Sequence, residues 1–123
     1  MGFWDVGPFD NSAALELVED LRAGRFSLDV FRFRCAGSAA PDADDAAVVI
    51  ALNALLTRPE ERPAGIGEAE LAEIDTAFNR SWLRKQAREI LDAEHSSLYA
   101  HWEATGEAEE WVRATRGLTR ILR

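Results

Sequence analysis

Asp44-Asp45-Ala46-Ala47-Val48-Val49-Ile50-Ala51-Leu52-Asn53-Ala54-Leu55-Leu56-Thr57 is the stretch that decides the fold. Between Ala46 and Leu56 only Asn53 is polar. A helix that is apolar all round has no face to give to water, so it must be covered on every side. A buried strand is the rival reading. Eleven residues is long for a strand, and Ala and Leu outnumber the β-branched residues here, so helix is expected. At about 1.5 Å per residue the run is far too short to cross a bilayer. Asp42, Asp44 and Asp45 stand at its start, where carboxylates favour the positive end of the helix dipole and can cap free amides. Pro59 stops it soon after Leu56. The spacing therefore predicts a buried central helix over about 45–57, and an all-α fold assembled around it.

The whole chain of 123 residues reads as one domain. A chain of this size buries roughly two thirds of its surface on folding, enough for one core. Cys35 is the single cysteine, which excludes an internal disulfide and suits a reducing cytoplasm. The start of the chain lacks a basic segment and an apolar run, so no signal peptide is expected. The formal net charge of -8 argues against nucleic acid and against an anionic membrane surface, and is compatible with a basic protein partner. That charge is uneven. Residues 42–77 carry nine acids (Asp42, Asp44, Asp45, Glu60, Glu61, Glu68, Glu70, Glu73, Asp75) against Arg58 and Arg62.

Around the central helix, the pattern predicts about six helices in all. Phe3, Trp4 and Phe9 in an opening rich in Gly and Pro predict an irregular aromatic arm plugged into the core. Asp10 or Asn11 then caps a helix over about 12–23, with Ala14, Leu17, Val18 and Leu21 on one face and Gly24 as its stop. Residues 25–36 are ambiguous. Phe26, Leu28 and Val30 alternate as in a strand, but Phe31, Phe33 and Cys35 alternate in the opposite phase, so one strand cannot keep a single face. Leu28, Phe31 and Cys35 also fit a helical stripe behind a Ser27 cap, and helix is preferred. Residues 37–42 and 58–67 read as loops. Leu71, Ile74 and Phe78 form the stripe of an acidic helix from Glu68, and the phase slips before Leu83, Ala87 and Ile90. A break is placed near Asn79–Ser81, with Ser81 as the next cap; one continuous helix is the alternative. Ser96 or Ser97 opens a short helix that Gly106 ends, and a last helix runs from Glu107 to Leu122 with Trp111, Thr115, Leu118 and Leu122 along its core stripe.

The opening Met1-Gly2-x-Trp4-x-x-Gly7-Pro8-Phe9-Asp10-Asn11, followed by an amphipathic helix, resembles a bacterial family known as domain of unknown function 4259. Asp42-Ala43-Asp44-Asp45-Ala46-Ala47 and Leu91-Asp92-Ala93-Glu94-His95-Ser96-Ser97-Leu98-Tyr99-Ala100-His101-Trp102 look like the same family, in the same order. The sequence departs from it at Asp5, at Ser12 and in the segment after Gly24. The resemblance implies a small, mostly helical bacterial protein and brings no assigned activity with it.

Two function classes compete. Asp10, Asp42, Asp44 and Asp45 are the residues that a metal-dependent hydrolase or small-ligand binder would use, through a hard cation such as Mg²⁺ or Ca²⁺. Helix capping explains the same aspartates without a metal, and no calcium-loop spacing follows them. His95 and His101 lie six apart, which matches no zinc spacing, and the chain holds no HExxH, CxxC or phosphate loop. No cofactor is expected. Arg113, Arg116, Arg120 and Arg123 form a basic stripe that also complements a helix C-terminus. The leading expectation is a non-enzymatic, cytoplasmic protein-binding module. Its acidic surface, represented by Glu68, Glu70 and Glu73, meets a basic partner, with Trp82 as an interface anchor. An immunity or antitoxin-like role is one concrete version. A homodimer with Trp82 buried across a two-fold axis is a third alternative.

Overall fold

The computed structural model describes residues 7–36, 43–91 and 96–121, with the side chains of 36, 97 and 117–121 excepted. Seven α-helices are formed among them: α1 (Ser12–Arg22), α2 (Leu28–Ala36), α3 (Ala43–Thr57), α4 (Glu68–Leu71), α5 (Ala77–Ile90), α6 (Ser97–Thr105) and α7 (Ala108–Ile121). The fold is all-α, as the sequence predicts.

α3 is the core element. Every residue from Ala46 to Leu56 except Val48 is buried, and Val48 is half-buried. Its cover comes from α1, α5, α6 and α7, which all pack on it. Asn53 is accommodated by bonding rather than by exposure. Its Nδ2 donates to the Val49 carbonyl at 2.9 Å and to the Leu83 carbonyl of α5 at 3.3 Å. Leu55 contributes a backbone carbonyl that accepts from Arg62 Nε at 2.7 Å. That bond holds the chain leaving α3 close to the helix it has just left. The 58–67 segment, read from sequence as plain loop, contains one 3-10 turn at Pro59–Glu61.

The caps are mostly those that side-chain chemistry predicts. Asn11 Oδ1 accepts from Ala14 N at 2.8 Å and opens α1. Gly24 follows α1 at φ 71, a conformation that only glycine adopts without strain. Ser27 Oγ accepts from Val30 N at 3.3 Å, so residues 28–36 take the helical alternative. Ser96 Oγ accepts from Tyr99 N at 3.0 Å, and Gly106, at φ 82, closes α6. Gly7, Pro8 and Asn11 lie against Ile50, Leu98 and Trp111, and Phe9 is half-buried against the core. Phe3 and Trp4 of the expected arm, and the expected 37–42 loop, lie outside the described residues.

Between Glu68 and Ile90 the structure corrects the sequence reading. The acidic helix is only α4, one turn long, and the break falls at 72–76 rather than at Asn79–Ser81. Thr76, not Ser81, caps α5, its Oγ1 accepting from Asn79 N at 3.1 Å. Ile74 still reaches the core, through a turn closed by Ile74 N to the Leu71 carbonyl at 3.0 Å. Phe78, expected on the core stripe, is instead 65% exposed, because restarting the helix at Ala77 rotates it outward.

Candidate functional site

α2 is the element that leaves the most unfinished. Its stripe of Leu28, Phe31 and Cys35 faces inward: Leu28 and Phe31 are buried and Cys35 is half-buried. Phe31 meets Phe26 at a ring separation of 6.1 Å and Trp82 of α5 edge-on at 6.3 Å. The opposite side carries Val30 and Phe33, three apart on one helix face, at 66% and 85% exposure. Phe78 of α5 is also exposed, at 65%, beside Arg32 of α2. The Arg32 guanidinium lies 4.8 Å from its ring centroid, a cation–π contact that covers part of it. Arg32 is held there by an ion pair with Asp29.

Beside Val30 the surface becomes concave. α1, α2 and the start of α3 enclose an open groove of about 670 Å³. Leu17, Phe26, Phe31 and Val48 supply its apolar lining. Two ion pairs cross its walls, Arg25 to Asp20 at 3.1 Å and Arg34 to Asp45 at 2.7 Å. Arg34 also lies 5.1 Å from the Phe31 ring centroid, so it ties α2 to α3 by charge while covering an aromatic face. Glu16 and Asp44 line the same groove, are exposed, and have no ion pair among the described residues. The groove is therefore net negative at its rim and apolar at its base.

Of the aspartates considered as metal ligands, Asp10, Asp44 and Asp45 are described, and they form no three-ligand cluster. Asp44 and Asp45 line the groove, and Asp45 is engaged by Arg34. Asp10 is in the loop before α1, where its backbone N–H donates to the Gly7 carbonyl at 3.2 Å. Asp42 lies outside the described residues. Among the described residues, no three His, Cys, Asp or Glu side chains converge as ligands for an ion.

The acids expected to face a partner are exposed and partly occupied. Glu68 reaches Arg62 at 3.7 Å, and Glu70 Oε1 accepts from Gly67 N at 2.7 Å as the cap of α4. Glu73 is exposed in the turn after α4. Asp75, next in line, pairs with Arg80, and that hydrogen bond holds its carboxyl below the ordinary carboxylate range while raising Arg80. Trp82 is half-buried and already spends one ring edge on Phe31. His101 is half-buried and set edge-on to Trp102 at 5.0 Å. Arg113 pairs with Glu109 at 3.7 Å, and nothing is described of the Arg120 and Arg123 side chains.

Sequence reasoning missed Val30, Phe33 and Phe78 as surface residues, and Glu16 as a groove residue. A signal was present for the first two: apolar residues on both phases of 26–35 exceed what one buried stripe needs.

The family described as domain of unknown function 4259 matches residues 2–114. The chain belongs to that family. The match takes in every element from α1 into α7, and so includes the whole groove and the exposed face of α2. The description of domain of unknown function 4259 names no activity. No curated protein and no solved structure matches the chain.

Proposed function

We propose that this domain of unknown function 4259 protein is a non-enzymatic protein-binding module of the bacterial cytoplasm that receives a basic partner. The observation that carries the reading is Phe33, 85% exposed on α2 one turn from Val30, itself 66% exposed. Large apolar side chains grouped on one surface are anchors for another protein more often than they are accidents of composition. The net charge of -8 selects the sign of the partner, because opposite charge accelerates encounter and rejects acidic competitors. Glu68, Glu70 and Glu73 supply the steering face, and Trp82 is kept as a minor anchor beside Phe31. An immunity or antitoxin-like protein, neutralising a cationic toxin, is a concrete instance of this chemistry.

The test is a tagged pull-down from a lysate of the source organism at low and at moderate salt. One stoichiometric basic protein, weakened by salt and lost with Phe33→Ser, is the expected result. A chain that comes down alone at both salts sinks the reading.

A further inference from the structure

The groove between α1, α2 and α3 has the features of a receptor for a peptide segment. Its base is apolar, through Leu17, Phe26, Phe31 and Val48. Its volume of about 670 Å³ is within the range of pockets that bury several side chains of a ligand. Its rim holds Glu16 and Asp44 as carboxylates with no ion pair among the described residues, whereas Arg25 and Arg34 are spent on Asp20 and Asp45. An acidic or neutral segment would find the groove's cations already satisfied and its two open charges repulsive. A segment with Lys or Arg placed beside a large apolar residue satisfies both parts of the site.

Resting on the protein-binding reading above, we infer that this groove is where the partner docks, and that its occupant is an amphipathic basic helix. Apolar side chains of that helix enter between Leu17, Phe31 and Val48, and its cations meet Glu16 and Asp44. Val30, on the groove wall and 66% exposed, becomes covered by the same helix. Helix-in-groove recognition reads anchors at three- and four-residue steps, which suits a depression walled by α1, α2 and the start of α3. Ion pairs of the Arg34–Asp45 kind keep the walls in place without consuming the charges that select the ligand.

The experiment maps amide shifts of the isotope-labelled full chain on titration with defined peptides. The probe is an amphipathic Leu/Lys helix of about 14 residues, close to four turns. A Ser/Lys peptide of equal charge and a Leu/Glu peptide of equal apolarity are the comparisons. The expected result is saturable binding of the Leu/Lys peptide alone, with shifts centred on Leu17, Phe26, Val30 and Val48. Affinity should fall by about tenfold in the exposed double substitution Glu16→Lys with Asp44→Lys. Equal binding of the Ser/Lys peptide overturns the inference, because the apolar base would then be unused. Shifts confined to Glu68–Glu73 also overturn it, while leaving the basic-partner reading standing. Shifts in the groove that vanish on dilution without peptide, together with a dimer in sedimentation, make a second copy the occupant and overturn it as well. No binding of any peptide, where the pull-down also returns the chain alone, removes both readings together.

Discussion

Asn53 of α3 donates its side-chain amide to the Leu83 carbonyl of α5 at 3.3 Å, in the most deeply covered part of the molecule. Both residues are 0% exposed. A polar side chain in the middle of an otherwise apolar helix therefore acts as a tie to the neighbouring helix. The tie is one-sided: Asn53 Oδ1 is buried with no hydrogen-bond partner among the described residues. An unmet acceptor in that position costs on the order of 1–3 kcal/mol, which offsets much of what the two donated bonds contribute.

This predicts an unusual ordering of substitutions at residue 53. Asn53→Asp replaces the donor with a charge facing two carbonyl oxygens, and should cost about 3–5 kcal/mol at neutral pH. Asn53→Leu removes donor and unmet acceptor together and keeps the branching of the side chain, though its methyl groups are bulkier, and should cost no more than about 1–2 kcal/mol. Urea unfolding of the two variants checks both numbers. A Leu variant as damaged as the Asp variant would mean that the Leu83 bond outweighs the unmet acceptor.

Phe31 and Phe33 are two residues apart and should separate folding from binding. Phe31 is 3% exposed, between Phe26 and Trp82, and Phe31→Ala should destabilise by about 3–5 kcal/mol. Phe33 is 85% exposed, so Phe33→Ser should change the melting temperature little, within about 0.5 kcal/mol. It should nonetheless abolish partner capture. Paired thermal melts and pull-downs test this, and loss of fold in the Ser variant would reassign Phe33 to the structure.

The same pair explains what sequence could and could not reveal. The central helix was legible because Ala46–Leu56 is apolar in every phase, a pattern with one physical solution. Ser27 was legible as a cap, and two others were narrowed to Asp10 or Asn11 and to Ser96 or Ser97, because a short polar side chain before a helical stripe has few better uses than an N-cap. The 26–35 segment was harder, because Val30 and Phe33 are apolar without being buried and blur the stripe of Leu28, Phe31 and Cys35. Phe78 misled for a related reason. Its spacing from Leu71 and Ile74 is helical, but the backbone leaves the helix between them, so the spacing no longer measures an angle. The groove was not legible at all. Its members run from Ser12 to Val48, and which of its charges remain open depends on pairings such as Arg34–Asp45 that only the packing of three helices sets.

Asp75 predicts a small, signed pH effect. Its hydrogen bond to Arg80 depresses the folded-state pKa below the ordinary value of 3.8, with burial opposing the shift. A depressed carboxylate contributes stability that is present above its unfolded pKa and lost as pH falls through its folded pKa. Both side chains are about a third exposed, so screening limits the contribution to about 0.5 kcal/mol. Asp75→Asn should thus be slightly less stable than the parent at pH 7, and the gap should close in acid, below the ordinary carboxylate range. Urea midpoints for the two chains at both pH values give the answer. A gap that persists in acid would show that the carboxamide itself fits poorly there.

The α4 acids carry the last prediction, and Glu70 makes it need a control. Reversing Glu68, Glu70 and Glu73 to Lys should weaken capture of a basic partner by slowing association, with the largest loss at low salt. Glu70 also caps α4 through the Gly67 N–H at 2.7 Å, so its loss alone should cost about 1 kcal/mol. Glu70→Gln keeps the acceptor and removes the charge, which separates the two effects. Association rates from surface plasmon resonance, measured for the parent, the triple reversal and Glu70→Gln across a salt series, decide the matter. A triple variant with an unchanged rate at low salt would show that the acidic turn does no steering, and would leave the groove acids Glu16 and Asp44 as the charges that a partner meets.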